Sequence, residues 1–257
     1  MTSALAAVRR IGITGTDTGV GKTVVTCALA ARARQLGVRV AAMKPVESGI
    51  RARDQEPGVL ASDAERLRAA CGNRHDLSLV RPFVLEEPLA PMVAAQRAGV
   101  TLSARALDRA REALEHEQEL LLVEGAGGLL VPITAQLSYA ELFSRWQCDV
   151  VLVAGNKLGV LNHVLLTVQA VERAGLRLAA VVLATISHDT PTVAEGTNFE
   201  VLQQLLPGQP LYRFPWVQRA DAHDQLARAA ESAGLDALLS PRFQVAPHGA
   251  SFPTQLS

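Results

Sequence analysis

The sequence predicts an α/β fold built on a mostly parallel central sheet with helices on both faces. Short β-rich runs alternate with helical stretches along the chain. The runs at 120–123, 150–154 and 179–184 are apolar without a break, the pattern of strands covered on both sides. The first strand also leads into a glycine-rich turn that ends in Gly21-Lys22-Thr23 at a helix start.

In order, residues 11–14 read as a strand, 23–35 as a helix ending at Gly37, and 38–43 as the next strand, one βαβ unit. Residues 48–61, rich in glycine, proline and charge, read as a long surface loop of the kind that is functional or mobile in compact domains. Ser62 with Glu65 forms a capping box for a helix from Asp63, and Thr192 with Glu195 another for a helix over 193–206. Further helices are expected over 103–116 and 161–174. No linker divides the chain, so residues 1–240 are expected to form one domain. Residues 241–257 carry three prolines and no periodicity, and are expected to be a poorly ordered tail.

Composition narrows the function. The 257 residues suffice for a real core, and 49% apolar with 19% charged residues is the balance of a soluble globular protein. Lys plus Arg equal Asp plus Glu at 25 each, which argues against non-specific nucleic-acid binding but leaves room for a local anion site. No apolar run reaches membrane-spanning length, and residues 1–10 lack the order of a secretory signal. Cys27, Cys71 and Cys148 lack metal-ligand spacing and read as reduced thiols. A cytoplasmic enzyme, with neither nucleic acid nor membrane as partner, is the expectation.

The turn Gly15-Thr16-Asp17-Thr18-Gly19-Val20-Gly21-Lys22-Thr23 is a P-loop, so the expected fold is that of the P-loop NTPases. Its glycines let backbone N–H groups face a phosphate, and the helix start adds positive partial charge. Lys22 can reach the β- and γ-phosphates of ATP, and the Thr23 hydroxyl can ligate Mg²⁺. The strict pattern wants glycine where Thr16 stands; Gly15 is displaced by one.

Lys44-Pro45-Val46-Glu47-Ser48-Gly49 closes the second strand, and ligands of open α/β sheets bind beyond such strand ends. A lysine there is either a solvated edge or a second cation for a transferring phosphoryl group. The proline and small residues that follow favour the second. Glu124, after the apolar run 120–123, reads as a Mg²⁺ carrier or as the solvated start of a tight turn. Asp63 is a further possible metal ligand, although unaided it reads as an ordinary acid in a first helical turn.

Together the loop, the 44–49 segment, Ser62-Asp63, Glu87-Pro-Leu-Ala-Pro91, Glu124-Gly-Ala-Gly-Gly128 and Lys157-Leu-Gly-Val-Leu-Asn-His163 resemble the dethiobiotin synthetase family in order and spacing. The resemblance implies an ATP- and Mg²⁺-dependent cyclo-ligase of biotin synthesis. Diaminopelargonate would take up CO₂ (from bicarbonate) as a carbamate, ATP would phosphorylate it, and the second amine would close the cyclic urea. It further implies Lys22 and Lys44 as catalytic, with Asp17, Thr18, Gly19, Val20, Gly21, Lys22, Thr23 and Glu124 around the nucleotide. Thr23, Asp63 and Glu124 would hold the metal, and Thr18, Lys44 and Ser48 would border the substrate. Gly159, Val160, Leu161 and Asn162 would receive the substrate carboxylate of a neighbouring subunit in a homodimer. His163 reads as packing or capping rather than catalytic.

Family members often carry a base-binding asparagine after the strand at 179–183, where this chain has Leu183-Ala184-Thr185. Thr185 or the backbone would take over beside Pro215, Trp216 and Val217, with relaxed preference for ATP expected. Two other readings compete with it. A cobyrinate-type amidoligase needs a nucleophilic cysteine in a second domain, and none of the three cysteines sits in such a turn. A partitioning-type ATPase switch carries a signature lysine five residues before Lys22, where Asp17 stands.

Overall fold

A computed structural model describes residues 8–50, 62–219 and 221–240. The chain begins β1 (Arg9–Gly15), α1 (Lys22–Gln35), β2 (Val40–Met43), β3 (Val46–Ser48), α2 (Asp63–Ala70), α3 (Leu77–Val80) and β4 (Phe83–Leu85). It continues α4 (Pro91–Ala98), α5 (Ala104–Glu115), β5 (Leu120–Gly128), β6 (Pro132–Thr134), β7 (Leu137–Ser138) and α6 (Tyr139–Arg145). The rest is β8 (Asp149–Gly155), α7 (Val160–Arg173), β9 (Arg177–Ala184), α8 (Val193–Leu205), β10 (Leu211–Phe214), α9 (His223–Ser232) and α10 (Asp236–Leu239).

Six strands form the main sheet in the order β10-β9-β8-β1-β5-β2, every neighbouring pair parallel. The unbroken burial of β5 over Leu120–Val123, of β8, and of β9 from Leu178 is what the continuous apolar runs demanded. Helix α1 is buried on most of its circumference, from Val25 through Ala31 and at Ala33, and packs against α9, α2 and the sheet. Both capping boxes are present: Ser62 and Glu65 close the start of α2, and Thr192 and Glu195 that of α8. Ser138 and Glu141 close α6 in the same way.

Two sequence expectations need correction. Ser48 is not the start of a loop: it ends β3, which pairs in parallel with β4 in a separate two-stranded sheet, and the Ile50 N–H continues to Leu85 O. The expected strand at 120–123 runs on through Glu124 to Gly128, because Gly128 pairs with Gly15 across a register shift. Glu124 is therefore a strand residue rather than the first residue of a turn. Most of the expected loop at 48–61 and all of the expected tail at 241–257 lie outside the described residues, as do residues 1–7. Among the described residues no helix is long and apolar enough to cross a membrane.

Candidate active site

Because β5 lies between β1 and β2, the P-loop after β1, Glu124 on β5 and Lys44 after β2 leave adjacent strands at the same edge of the sheet. Gly15 shows why a glycine sits one place early in the loop. A Cβ there would lie 2.9 Å from Asp17 O, 2.9 Å from Val20 Cγ2 and 3.0 Å from Lys22 Nζ. The loop folds back over that backbone with no space for a side chain. Gly21 has φ 98° and leads into α1 with no side-chain cap, so the first-turn N–H donors of the helix are not closed off by a capping residue.

Lys22 is buried, with Nζ donating to Asp17 O at 2.8 Å. Lys44, 4% exposed, is not the solvated strand edge that its position alone allowed. Its Nζ donates to Glu124 Oε1 at 2.5 Å and to Asp63 Oδ2 at 2.9 Å. Glu124 is fully buried, and its Oε1 also accepts from the Thr23 hydroxyl at 2.8 Å. Its solvated reading falls with that burial. The Thr18 side chain lies against Gly127, where an added Cβ would be 3.7 Å from Thr18 Oγ1.

Charge follows from this packing. Burial lowers the Lys44 pKa, but Glu124 and Asp63 outweigh it and hold the ammonium above the ordinary lysine range. Burial pushes the Asp63 carboxyl up, and Lys44 with Thr23 pulls it below the usual carboxylate range. Among the described residues no carboxylate pairs with Lys22: burial and the neighbouring Lys44 bring its pKa down from 10.5 to about 8. The free protein then carries the penalty of a charged Lys22 below about pH 8 and sheds it as pH rises toward 10.5. A phosphate on Lys22 restores the proton, so nucleotide binding is expected to take up a proton between these values and weaken as pH rises through them. Calorimetric titration with ADP at about pH 8.5, in two buffers of different ionisation enthalpy, measures this uptake. Zero uptake, or uptake unchanged in Lys22→Met, would contradict it.

An open pocket of about 730 Å³ lies over these groups, lined among others by Thr18, Gly19, Gly21, Lys22, Thr23, Lys44, Ser48 and Asp63. Asp17, exposed, and Val20, buried, belong to the same loop but are not among the lining residues. Thr185, Pro215, Trp216 and Val217 are not in its wall; they follow β9 and β10, whose ends lie at the same sheet edge. Ala184 Cβ would be 3.5 Å from a Cβ on Gly21, so the end of β9 touches the loop. Gly159, Val160, Leu161 and Asn162 also lie outside this pocket, at the start of α7.

Thr23, Asp63 and Glu124 offer a hydroxyl and two carboxylates. Among the described residues no group of three or more His, Cys, Asp or Glu side chains gathers as a self-sufficient metal cage. Such a partial oxygen set suits Mg²⁺, which is commonly held by one or two carboxylates with the remaining positions on phosphate and water. Glu124 Oε2 is buried with no hydrogen-bond partner among the described residues, acceptor capacity that a hydrated cation would satisfy.

Sequence reasoning passed over several pocket residues. Arg66 and Glu47 line it, as do Pro88, Leu89, Ala90 and Pro91 from the segment quoted above without a role. Arg66 sits three residues beyond Asp63 in α2, and that spacing was the available signal. No cysteine lines the pocket. Burial pushes the Cys71 and Cys148 thiols up to about 12 and Cys27 in the same direction, so none is an activated nucleophile of the amidoligase kind.

Residues 9–223 match a family model described as "AAA domain". The ATP-dependent dethiobiotin synthetase BioD of Anaeromyxobacter dehalogenans (strain 2CP-C) is 41% identical over 227 residues, 88% of this chain and 96% of the relative. That of Anaeromyxobacter sp. (strain Fw109-5) is 46% identical over 205 residues, covering 77% and 89%. ATP-dependent dethiobiotin synthetase BioD 1 of Escherichia coli (strain K12) is 34% identical over 209 residues, covering 81% and 91%. With near full-length similarity to these relatives, the chain belongs to the dethiobiotin synthetase family.

Proposed function

We propose that this protein is an ATP- and Mg²⁺-dependent cyclo-ligase that converts diaminopelargonate and CO₂ to dethiobiotin, with ADP and phosphate as by-products. The observation that carries this reading is Lys44, a buried ammonium beside the P-loop and held between Glu124 and Asp63. Carbamate formation, phosphorylation and ring closure need positioning and charge neutralisation rather than a strong base. In this reading Lys44 neutralises the carbamate and the oxygens of the phosphoryl group passing from ATP. Lys22 and the loop amides from Asp17 to Thr23 hold the β- and γ-phosphates. Mg²⁺ bound with ATP would supply further neutralisation of the phosphates, on Thr23, Asp63 and Glu124. Thr18 and Ser48 border the diamine, and the second amine attacks the carbamoyl carbon while phosphate leaves.

The remainder of the proposed site belongs to a second copy. Helix α7 opens like α1, with a left-handed glycine before it (Gly159, φ 90°) and no side-chain cap, whereas α2, α6 and α8 are closed by capping boxes. Its amides at Gly159, Val160, Leu161 and Asn162 suit a carboxylate. They lie outside this chain's own pocket; exposed Leu130 and Leu166 line one shallow depression, and exposed Leu158 directly precedes Gly159, apolar surface for a homodimer contact. At the base end the Thr185 N–H is already bonded to Phe214 O, leaving the Thr185 hydroxyl and the half-exposed Trp216 ring beside Pro215 and Val217.

The reading is tested by assaying dethiobiotin formation with purified protein, diaminopelargonate, bicarbonate, Mg²⁺ and ATP. ATP turnover is expected to depend on both diaminopelargonate and bicarbonate; turnover indifferent to them would sink it. With no asparagine after β9 to pair with adenine, CTP and GTP are expected to support turnover within about a hundredfold of ATP in kcat/KM. A site built to hydrogen-bond its base discriminates by about ten-thousandfold. Rates that collapse with saturating CTP and GTP would show that the base is read by another group.

A further inference from the structure

Three residues beyond Lys44, Glu47 is a buried carboxylate that phosphate binding does not call for. Its Oε2 accepts from Arg81 Nη1 at 2.8 Å and its Oε1 from the backbone N–H of Ala64 at 3.3 Å. The same Arg81 nitrogen donates to Ser62 Oγ at 3.1 Å, the hydroxyl that caps α2. Both charged side chains are removed from water, Arg81 7% and Glu47 4% exposed. Next to Arg81, Val80 O accepts the Lys44 N–H at 2.7 Å. A closed ring results: β3 with the Lys44 segment, the first turn of α2, and the end of α3 are tied to one another, and Lys44 to Asp63 at 2.9 Å is its final link.

A buried ion pair stabilises a fold little better than apolar residues of the same volume, so stability alone does not account for Glu47 and Arg81. What the pair does fix is where α2 begins. Asp63 occupies the first helical position, its side chain 38% exposed toward the pocket, and Ala64, the residue Glu47 grips, is the next one.

We infer that Glu47 and Arg81 are positioning residues that set the start of α2, and through it the Asp63 carboxylate, against Lys44 and the cation that accompanies ATP. This rests on the metal-dependent reaction proposed above. Although Glu47 borders the pocket, its carboxylate oxygens are engaged by Arg81 and the Ala64 N–H, and both residues act through Asp63.

The test compares the full-length protein with Glu47→Gln, Asp63→Asn and the double variant. ADP affinity is measured by calorimetry with and without Mg²⁺, alongside the Mg²⁺ dependence of turnover and the melting temperature. Glu47→Gln is expected to cut the Mg²⁺-dependent gain in ADP affinity by about ten- to a hundredfold, as loss of an outer partner of a metal ligand does. ADP affinity without Mg²⁺ is expected to change less than about twofold. Asp63→Asn is expected to do the same, and the double variant no more than either single one. Arg81→Lys is expected to recover part of what Arg81→Met loses. A Glu47→Gln protein that melts earlier yet keeps the wild-type Mg²⁺ dependence, or a double variant showing the product of the single effects, would overturn the inference. If Glu47→Gln does not fold, Glu47→Asp, one methylene short of Ala64, carries the same comparison. A wild-type protein in which Mg²⁺ leaves ADP affinity unchanged and no dethiobiotin forms would instead remove the proposed reaction itself.

Discussion

Lys44→Met is expected to lower dethiobiotin turnover by about a hundred- to a thousandfold, the loss seen when one buried donor to developing negative charge is removed. Methionine keeps an unbranched apolar stem, one heavy atom shorter, and deletes the charge. ADP affinity is expected to fall far less, because the loop amides and Lys22, the proposed phosphate grip, are left in place. The same change leaves fully buried Glu124 without the ammonium at 2.5 Å, and stripping one partner from a buried ion pair costs about 3–5 kcal/mol. The melting temperature is therefore expected to drop as well. A second change separates the two effects. Lys44→Met with Glu124→Gln removes both charges and is expected to recover much of the stability while recovering no activity. Chemical quench of ATP turnover together with thermal melts of the three proteins checks this. Turnover within tenfold of wild type in Lys44→Met would take the lysine out of the reaction.

Gly15→Ala is expected to disable nucleotide binding in a protein that still folds. The backbone at Gly15 lies outside the left-handed region, so alanine meets no conformational barrier there and the effect is one of contact alone. The new methyl would lie 2.9 Å from a backbone carbonyl, Asp17 O, and 2.9 Å from Val20 Cγ2, neither of which can swing clear as the end of a flexible side chain does. The loop must shift, and with it the amides that face phosphate and the Asp17 carbonyl that receives Lys22. Overpacking of this kind costs about 1–3 kcal/mol of stability. Misplacing a catalytic frame by about 1 Å costs about a hundredfold in function. Calorimetry with Mg·ADP is expected to show affinity lower by at least about tenfold. Affinity within twofold of wild type would mean that the loop has slack which its packing does not show.

The parts of this molecule legible in the sequence are those where one local rule acts alone. Leu120–Val123 could only be a covered strand, and an acid directly after it had to be either buried with a partner or turned to water; the partner, Lys44, comes from a strand 80 positions away in the chain. The Ser62 and Thr192 caps were legible because a capping box is complete within four residues. Helix α1 has little amphipathic pattern, being covered on most sides, and was recognised instead from Gly21-Lys22-Thr23 at its start and Gly37 after its end. Strands β3 and β4, three residues each, are too short for any period to show. Glu47 and Arg81, 34 residues apart, carry no mutual signal at all, since each alone reads as a surface charge. The turn at Gly159 is legible as an open helix start, but its proposed service to the pocket of a second copy has no signal within one chain.

The position of β5 between β1 and β2 has a practical corollary. Neighbouring parallel strands keep a spacing of about 4.8 Å, so the cradle, Glu124 and Lys44 are gauged against one another by main-chain hydrogen bonding. β8, β9 and β10 lie on the other flank of β1, and the proposed base end grows from them. If the proposed roles hold, an engineer could rewrite the nucleobase preference around Thr185 and Trp216 without re-aiming the Lys44 ammonium, treating the protein as a chassis with separate controls for fuel and for product.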